Sequence, residues 1–228
     1  MATVSTSPGF STFENGDRMT RADFHRIYET MPGDFRAELV GGIVYVASPL
    51  KRRHGTCHLH LGGLLAAYEA RTPGVEAADN ATILLGDEGE PQPDLYLRIL
   101  PEFGGQSRTT ADDYVDGAPE LVVEVALSSR AIDLHGKYDD YRRYGVAEYL
   151  VVCLEESELH WFDLRGNQEL SADSDGVLRV RTFPGLWIHC GALFAKNHAQ
   201  MMVELDKGLA TGEHADFVKQ LTAARSQS

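Results

Sequence analysis

Hydrophobic positions along the chain switch between two periods, one near 3.6 residues and one of 2, and the switches divide it into alternating helices and strands. Thr20-Arg21-Ala22-Asp23 resembles a capping box, with Asp where Glu or Gln is usual, and predicts a helix running to about Thr30. Met31-Pro32-Gly33-Asp34 stops it. Strands over 36–40 and 43–47 flank Gly41-Gly42, the two-residue signal of a tight hairpin. Leu61, Leu64, Leu65 and Tyr68 recur at helical spacing, so a helix is expected over 54–71, stopped by Pro73-Gly74. Strands are expected at 75–85, 94–99 and 120–127, then a helix over 132–144 ended by Gly145. Strands follow at 148–154 and 158–164, with a turn at Gly166-Asn167, a short segment, and a strand-like stretch over 177–183. Residues 191–225 read as helical in two pieces broken near Thr211-Gly212. The order predicts a mixed α/β (α+β) fold with its sheet covered on both faces.

One position breaks the pattern. Glu124 lies inside Leu121-Val122-Val123-Glu124-Val125-Ala126-Leu127, a run that reads as a strand buried on both faces. A carboxylate there loses its hydration, at a cost of several kcal/mol unless a cation or donors replace the water. Two other residues are placed to complete a site: Asp94, after Pro93 at the start of another apolar strand, and Lys137, on the helix that follows. Lys137 falls in a helical stripe with Leu134, Tyr138, Tyr141 and Tyr144, which points it at the sheet. A Pro-Asp, a strand Glu and a nearby Lys are the parts of a metal-dependent phosphodiesterase site. The bland alternatives are a Glu124 paired structurally with an Arg and a Lys137 that snorkels past its aromatic neighbours to solvent.

Composition narrows the setting. No apolar run approaches the ~20 residues that span a bilayer, and Met1 to Asn15 lacks a secretory pattern and reads as a flexible leader. Cys57, Cys153 and Cys190 are too scattered for a disulfide framework, which favours a reducing, cytoplasmic setting. The net charge of −13 argues against generic nucleic-acid binding. The charge is uneven: Glu76 to Ala126 holds twelve Asp/Glu against two Arg, whereas Lys51-Arg52-Arg53-His54 is basic. That basic strip precedes a predicted helix whose positive end disfavours cations. Either a bound phosphate or plain solvation resolves the conflict. His54 and His58 share a helix face with Cys57 nearby, but no third ligand completes a zinc motif in the sequence.

Taken in order, Glu38-Leu39-Val40-Gly41-Gly42-Ile43, Ser48-Pro49, His54, Pro93-Asp94, Ala118-Pro119-Glu120-Leu121-Val122-Val123-Glu124-Val125, Lys137-Tyr138-x-x-Tyr141 and Gly145-Val146-Ala147-Glu148-Tyr149 carry a resemblance. With Pro184-Gly185-Leu186 and Leu193-Phe194 as a closing segment, the chain resembles the Uma-two family within the PD-(D/E)xK nuclease superfamily, over about residues 15–195. The resemblance implies a restriction-endonuclease-like core at 16–195, after the leader at 1–15 and before a helical extension at 196–228. It implies an endonuclease acting on nucleic acid, DNA foremost, with Asp94, Glu124, Lys137 and Glu38 as the catalytic set. Asp94, Glu124, Glu38 and the Val125 carbonyl would hold Mg²⁺, with Mn²⁺ as substitute. Lys51, Arg52, Arg53, His54, Arg130 and Tyr141 are the candidates for holding nucleic acid. The superfamily lysine usually stands two residues after the Glu, where this chain has Ala126; Lys137 resembles a migrated equivalent. If Lys137 acts only on the reacting water, folding should not depend on its charge. A catalytically silent binding module of the same fold is the alternative, and chemistry alone also leaves room for a sugar- or nucleotide-phosphate hydrolase. Apolar positions after Lys196 (Ala199, Met201, Met202, Val203, Leu205, Leu209, Phe217, Val218, Leu221) suggest a homodimer or a tail folded back on its own domain.

Overall fold

Thr20 caps the first helix as its sequence suggests, its hydroxyl oxygen accepting from the Asp23 N–H. The computed structural model describes residues 13–226 and runs α1 (Arg21–Tyr28), β1 (Ala37–Val40), β2 (Ile43–Val46), α2 (Arg52–Glu69), β3 (Val75–Asp79), β4 (Ile83–Leu84) and β5 (Leu95–Ile99). A short 3-10 turn, β6 (Arg108–Thr109), β7 (Val115–Asp116) and β8 (Leu121–Ala126) follow. A π-helical turn (Ile132–Lys137) then runs into α3 (Tyr138–Tyr144). The chain ends with β9 (Glu148–Cys153), β10 (Glu158–Asp163), β11 (Gln168–Leu170), β12 (Val177–Arg179), β13 (Trp187–His189), α4 (Cys190–Phe194), α5 (His198–Leu209) and α6 (Gly212–Arg225).

The central sheet has the order β11-β10-β9-β8-β5-β3; β8 and β9 are parallel and the other pairs antiparallel. This is the mixed sheet covered on both faces that the alternating pattern predicts. On one face Leu121, Val123 and Val125 of β8 pack with Leu61, Leu64 and Leu65 of α2. On the other, Val122 and Ala126 pack with Tyr141, Tyr149 and Val151. Side chains of a strand alternate between faces, so Glu124 shares the second face, beneath the π-turn and α3. The β1–β2 hairpin turns through Gly41 and Gly42 at φ +56° and +72°, the paired left-handed conformation that a two-residue hairpin needs and that glycine adopts freely.

Four expectations change in the structure. The stretch 75–85 is two strands, because Asn80 turns through a left-handed conformation and donates its N–H to the carbonyls of Pro93 and Asp94. The stretch 177–183 stops at Arg179, where the chain turns back through Phe183-Pro184-Gly185 and Val180 pairs with Leu186. The tail is three helices: Lys196 at φ +57° ends α4, and the Asn197 side chain caps α5. It is folded back, with Met201, Leu205, Phe217 and Leu221 buried in the same core as α2, so most of the apolar surface that suggested a homodimer is covered within the chain. Of the expected leader, residues 1–12 lie outside the described residues, and Phe13 stacks on Phe24 with ring centroids 4.8 Å apart.

Glu148, at the start of β9, is buried and accepts from the Arg181 N–H at 3.0 and 3.2 Å. Burial pushes its carboxyl up to about 7 from an ordinary value of 4.5. The folded state therefore holds this proton more tightly than the unfolded chain does. The resulting stability is present below the unfolded value and lost as pH rises through about 7. Glu148→Gln, neutral throughout, is expected to melt close to wild type at about pH 5 and above it at about pH 8, by up to about 3 kcal/mol. Equal melting at both pH values would mean that Glu148 is charged in the native protein without penalty.

Candidate active site

Glu124 is held in place from the π-turn and from α3. The Lys137 ammonium lies 2.9 Å from its Oε1, and the Tyr141 hydroxyl donates to the same oxygen at 2.9 Å. Lys137 and Tyr141 are one helical turn apart and so share a face. The turn that delivers Lys137 is the π-helical one, a wide, uncommon geometry often found at functional positions. Asp133, on the same turn, places Oδ1 3.8 Å from the ammonium and accepts from Ser129 Oγ at 2.6 Å through Oδ2.

Asp94 comes from the neighbouring strand. Leu95 pairs with Val123 in the antiparallel β5–β8 register, so Asp94 stands across from Glu124. Its Oδ2 accepts from the Val125 N–H at 2.7 Å, while its own N–H lies 3.4 Å from Glu124 Oε2. Glu38 enters from the β1–β2 hairpin: Oε2 is 2.9 Å from Lys137 Nζ, and Oε1 accepts from the Gln92 N–H at 2.7 Å. The hairpin is anchored by backbone pairing of Leu39 with Glu90 and by the Gly41 N–H, which donates to Asp140. His54, buried in the first turn of α2, approaches Asp94 with Nε2 at 3.2 Å.

Four carboxylates (Glu38, Asp94, Glu124, Asp133) thus surround one ammonium and one imidazole. Burial pushes Glu124 well above the usual carboxylate range, and the like charges of Asp133, Asp94 and Glu38 add to that against the pull of Lys137. Burial likewise raises Asp133. Burial alone would discharge Lys137, but Glu124, Glu38 and Asp133 together outweigh it and hold the ammonium well above its ordinary value. Burial also opposes ionisation of Asp94; the His54 hydrogen bond and charge, the Val125 N–H and Lys137 overcome it and keep Asp94 below the ordinary range. Lys137 is therefore a fixed cation and Asp94 a fixed anion. The excess of negative charge suits a divalent cation, with Asp94, Glu124 and the Val125 carbonyl as oxygen donors. His54 Nδ1, on the other side of the ring, is buried and makes no close hydrogen bond.

The structure brings Asp94, Glu124, Lys137, Glu38, Val125 and His54 together. Two of the nucleic-acid candidates stand elsewhere in role or place. Tyr141 is fully buried with its hydroxyl committed to Glu124, so it holds the carboxylate and does not face a phosphate. Arg130 faces Glu156 and Glu158 at 3.7 and 3.6 Å. Lys51 and Arg52 are exposed at the start of α2, and Arg53 donates to the Leu154 carbonyl just beyond β9. Leu154 in turn pairs with Ala126, two residues from Glu124, so the basic strip lies at the same end of the sheet as the cluster. Asp133 was not singled out from sequence; its position four before Lys137 and eight before Tyr141, on one helical stripe, was the available signal.

The Uma2 family model, described as "Putative restriction endonuclease", matches residues 21–191. The chain belongs to the Uma2 family. The match runs from α1 to the start of α4, so α5 and α6 lie beyond the Uma2 region. Among solved structures the fold resembles that of "a putative nuclease belonging to DUF820 from Anabaena variabilis ATCC 29413", with a TM-score of 0.59 and 13% identity over 75% of this chain and 96% of that one. At that identity the likeness is one of fold. No curated protein matches. Among the described residues no helix is long and apolar enough to cross a membrane.

The ion pairs correct one expectation, that folding is indifferent to the Lys137 charge. Replacing a buried ammonium that faces three carboxylates leaves them uncompensated, at a cost of about 3–5 kcal/mol. Lys137→Met is expected to lose stability on that scale in urea unfolding near neutral pH without divalent cations, and the added substitution Glu124→Gln should restore part of it. Wild-type stability in Lys137→Met would show that the cluster is already neutral when folded.

Proposed function

We propose that the chain is a metal-dependent endonuclease that hydrolyses phosphodiester bonds of nucleic acid, DNA foremost. The observation that carries this reading is the meeting of Asp94, Glu124 and Lys137 at one end of the sheet, with Lys137 Nζ 2.9 Å from Glu124 although the two are thirteen residues apart. Family membership supports the reaction class. A divalent cation held by Asp94, Glu124, the Val125 carbonyl and Glu38 would neutralise charge on the phosphate and acidify a nearby water.

The chain's own groups take distinct parts. Asp94, kept anionic, is the permanent ligand. Glu124 is fixed by Lys137 and Tyr141, so its second oxygen, Oε2, keeps one orientation toward Asp94. Lys137 does not accept a proton, because its neighbours hold it as an ammonium; it donates, orienting the attacking water and stabilising negative charge as it develops. Lys51, Arg52 and Arg53, at the N-terminus of α2, are the groups that favour an approaching phosphate chain, as helix N-termini and Arg side chains both do. A silent binding module drew its support from the acidic balance and from Ala126, where the superfamily lysine is missing; only the second of these concerns Lys137. The arrival of the Lys137 ammonium beside Glu124 weakens that support.

The test is cleavage of supercoiled plasmid, single-stranded DNA and RNA by the purified chain with Mg²⁺ or Mn²⁺. Asp94→Asn and Glu124→Gln are each expected to lower the rate by about 10²-fold or more while keeping a cooperative melt. Undiminished cleavage in both variants, or none of any substrate by wild type with either metal, would count against the assignment.

A further inference from the structure

His54 and His58 stand one turn apart on α2, and both reach the same carboxylate. His54 Nε2 is 3.2 Å from Asp94, His58 Nδ1 is 3.9 Å from Asp94 Oδ1, and a ligand atom from each of the three residues can be chosen so that all lie within 4.8 Å of one another. Their imidazole planes are nearly perpendicular, at 89°, with centroids 6.0 Å apart. All three side chains are largely withdrawn from solvent, at 7%, 13% and 13% exposure. Histidines at i and i+4 on one helix face, joined by a carboxylate from another element, have the spacing of a transition-metal ligand set. The His54 ring keeps one nitrogen buried and unpartnered, although buried polar atoms ordinarily find partners. Nε2, the nitrogen that already faces Asp94, is the one placed to ligate a cation held there. On the far side of His58, Asp79 Oδ2 lies 3.7 Å from Nε2. A carboxylate behind a ligating imidazole fixes its tautomer and raises its basicity.

Metal choice follows from donor type. Mg²⁺ takes oxygen donors and water and has little use for imidazole, whereas first-row transition cations gain from it. We infer that the cation site of this chain is a mixed nitrogen–oxygen site, with His54 and His58 joining Asp94, and that it selects a first-row transition cation over Mg²⁺. This rests on reading Asp94 as a cation ligand. It extends that reading to His58 and replaces the Mg²⁺ preference that the carboxylates alone imply.

The experiment is binding of Mn²⁺ and of Mg²⁺ to chelator-treated full-length protein by calorimetry, with pulsed electron paramagnetic resonance of the Mn²⁺ complex to detect ligating nitrogen. Wild type is expected to bind Mn²⁺ at least about tenfold more tightly than Mg²⁺ and to show ¹⁴N coupling. His54→Ala and His58→Ala are each expected to lower Mn²⁺ affinity by about tenfold or more and weaken the coupling, and His58→Ala to leave Mg²⁺ affinity within about twofold. Asp94→Asn should lose both metals. His58 makes no hydrogen bond as short as that of His54, so His58→Ala carries the test if His54→Ala fails to fold. Equal affinities, no nitrogen coupling and histidine variants like wild type, with Asp94→Asn still losing both metals, would overturn this inference and leave the carboxylate site standing. Unchanged binding in Asp94→Asn would overturn both.

Discussion

The Glu124–Lys137 pair is the constraint on which the rest of the structure turns. Each charge taken from water costs several kcal/mol, and pairing repays that only when geometry and further hydrogen bonds are good. Here one ammonium serves Glu124, Glu38 and, at longer range, Asp133, and a buried tyrosine hydroxyl completes the shell of Glu124. A sheet centre built for stability alone would carry an apolar residue at position 124, as it does at Val122 and Ala126 on the same face. The elements around the pair are arranged to supply it: the π-turn delivers Lys137, α3 delivers Tyr141, and the β1–β2 hairpin, docked on Glu90, delivers Glu38. A cluster of buried ionisable groups drawn from several separate elements marks a candidate functional site.

How much of this the sequence exposes depends on whether the signal is local. Glu124 is legible because a charge inside a β-branched run violates its own neighbourhood. The Gly41-Gly42 hairpin is legible because the turn needs two left-handed residues. Lys137 is legible once its helical stripe is drawn, and the family resemblance adds order and spacing to all three. The break after β3 is not legible, because it depends on Asn80 meeting the carbonyls of Pro93 and Asp94, a contact between segments. The three-piece tail escapes for a related reason: Lys196 carries no mark of a left-handed conformation, and only the cap that Asn197 forms shows where α5 begins. Asp133 and His58 sit on predicted helix faces, yet their significance appears only when β8 brings Glu124 to the π-turn and the start of β5 brings Asp94 to α2.

Tyr141 shows why type and spacing underdetermine role. A tyrosine one turn from the candidate lysine is equally compatible with binding phosphate and with packing. The structure gives it a third task, donating to Glu124 from a fully buried position. Burial decides between these options, and burial is a property of the assembled sheet and helix. The same holds for the tail, whose apolar residues are a liability on a free helix and ordinary core once α5 lies against α2.

A net charge of −13 is awkward for a protein that handles nucleic acid, and the cluster explains part of it. Four of the carboxylates are withdrawn from the surface, where they contribute little to the field met by an approaching polyanion. Lys137 offsets one charge and a bound divalent cation would offset two more. The longest run of basic residues, Lys51, Arg52 and Arg53, stands at the positive end of α2 and at the same end of the sheet as Glu124. Long-range attraction to nucleic acid would then be weak and short-range engagement local, because exposed charges farther away than about 10 Å are screened at ordinary ionic strength. Under the proposed function, a site so organised would draw its hold on a phosphate chain from the α2 terminus and the cation together.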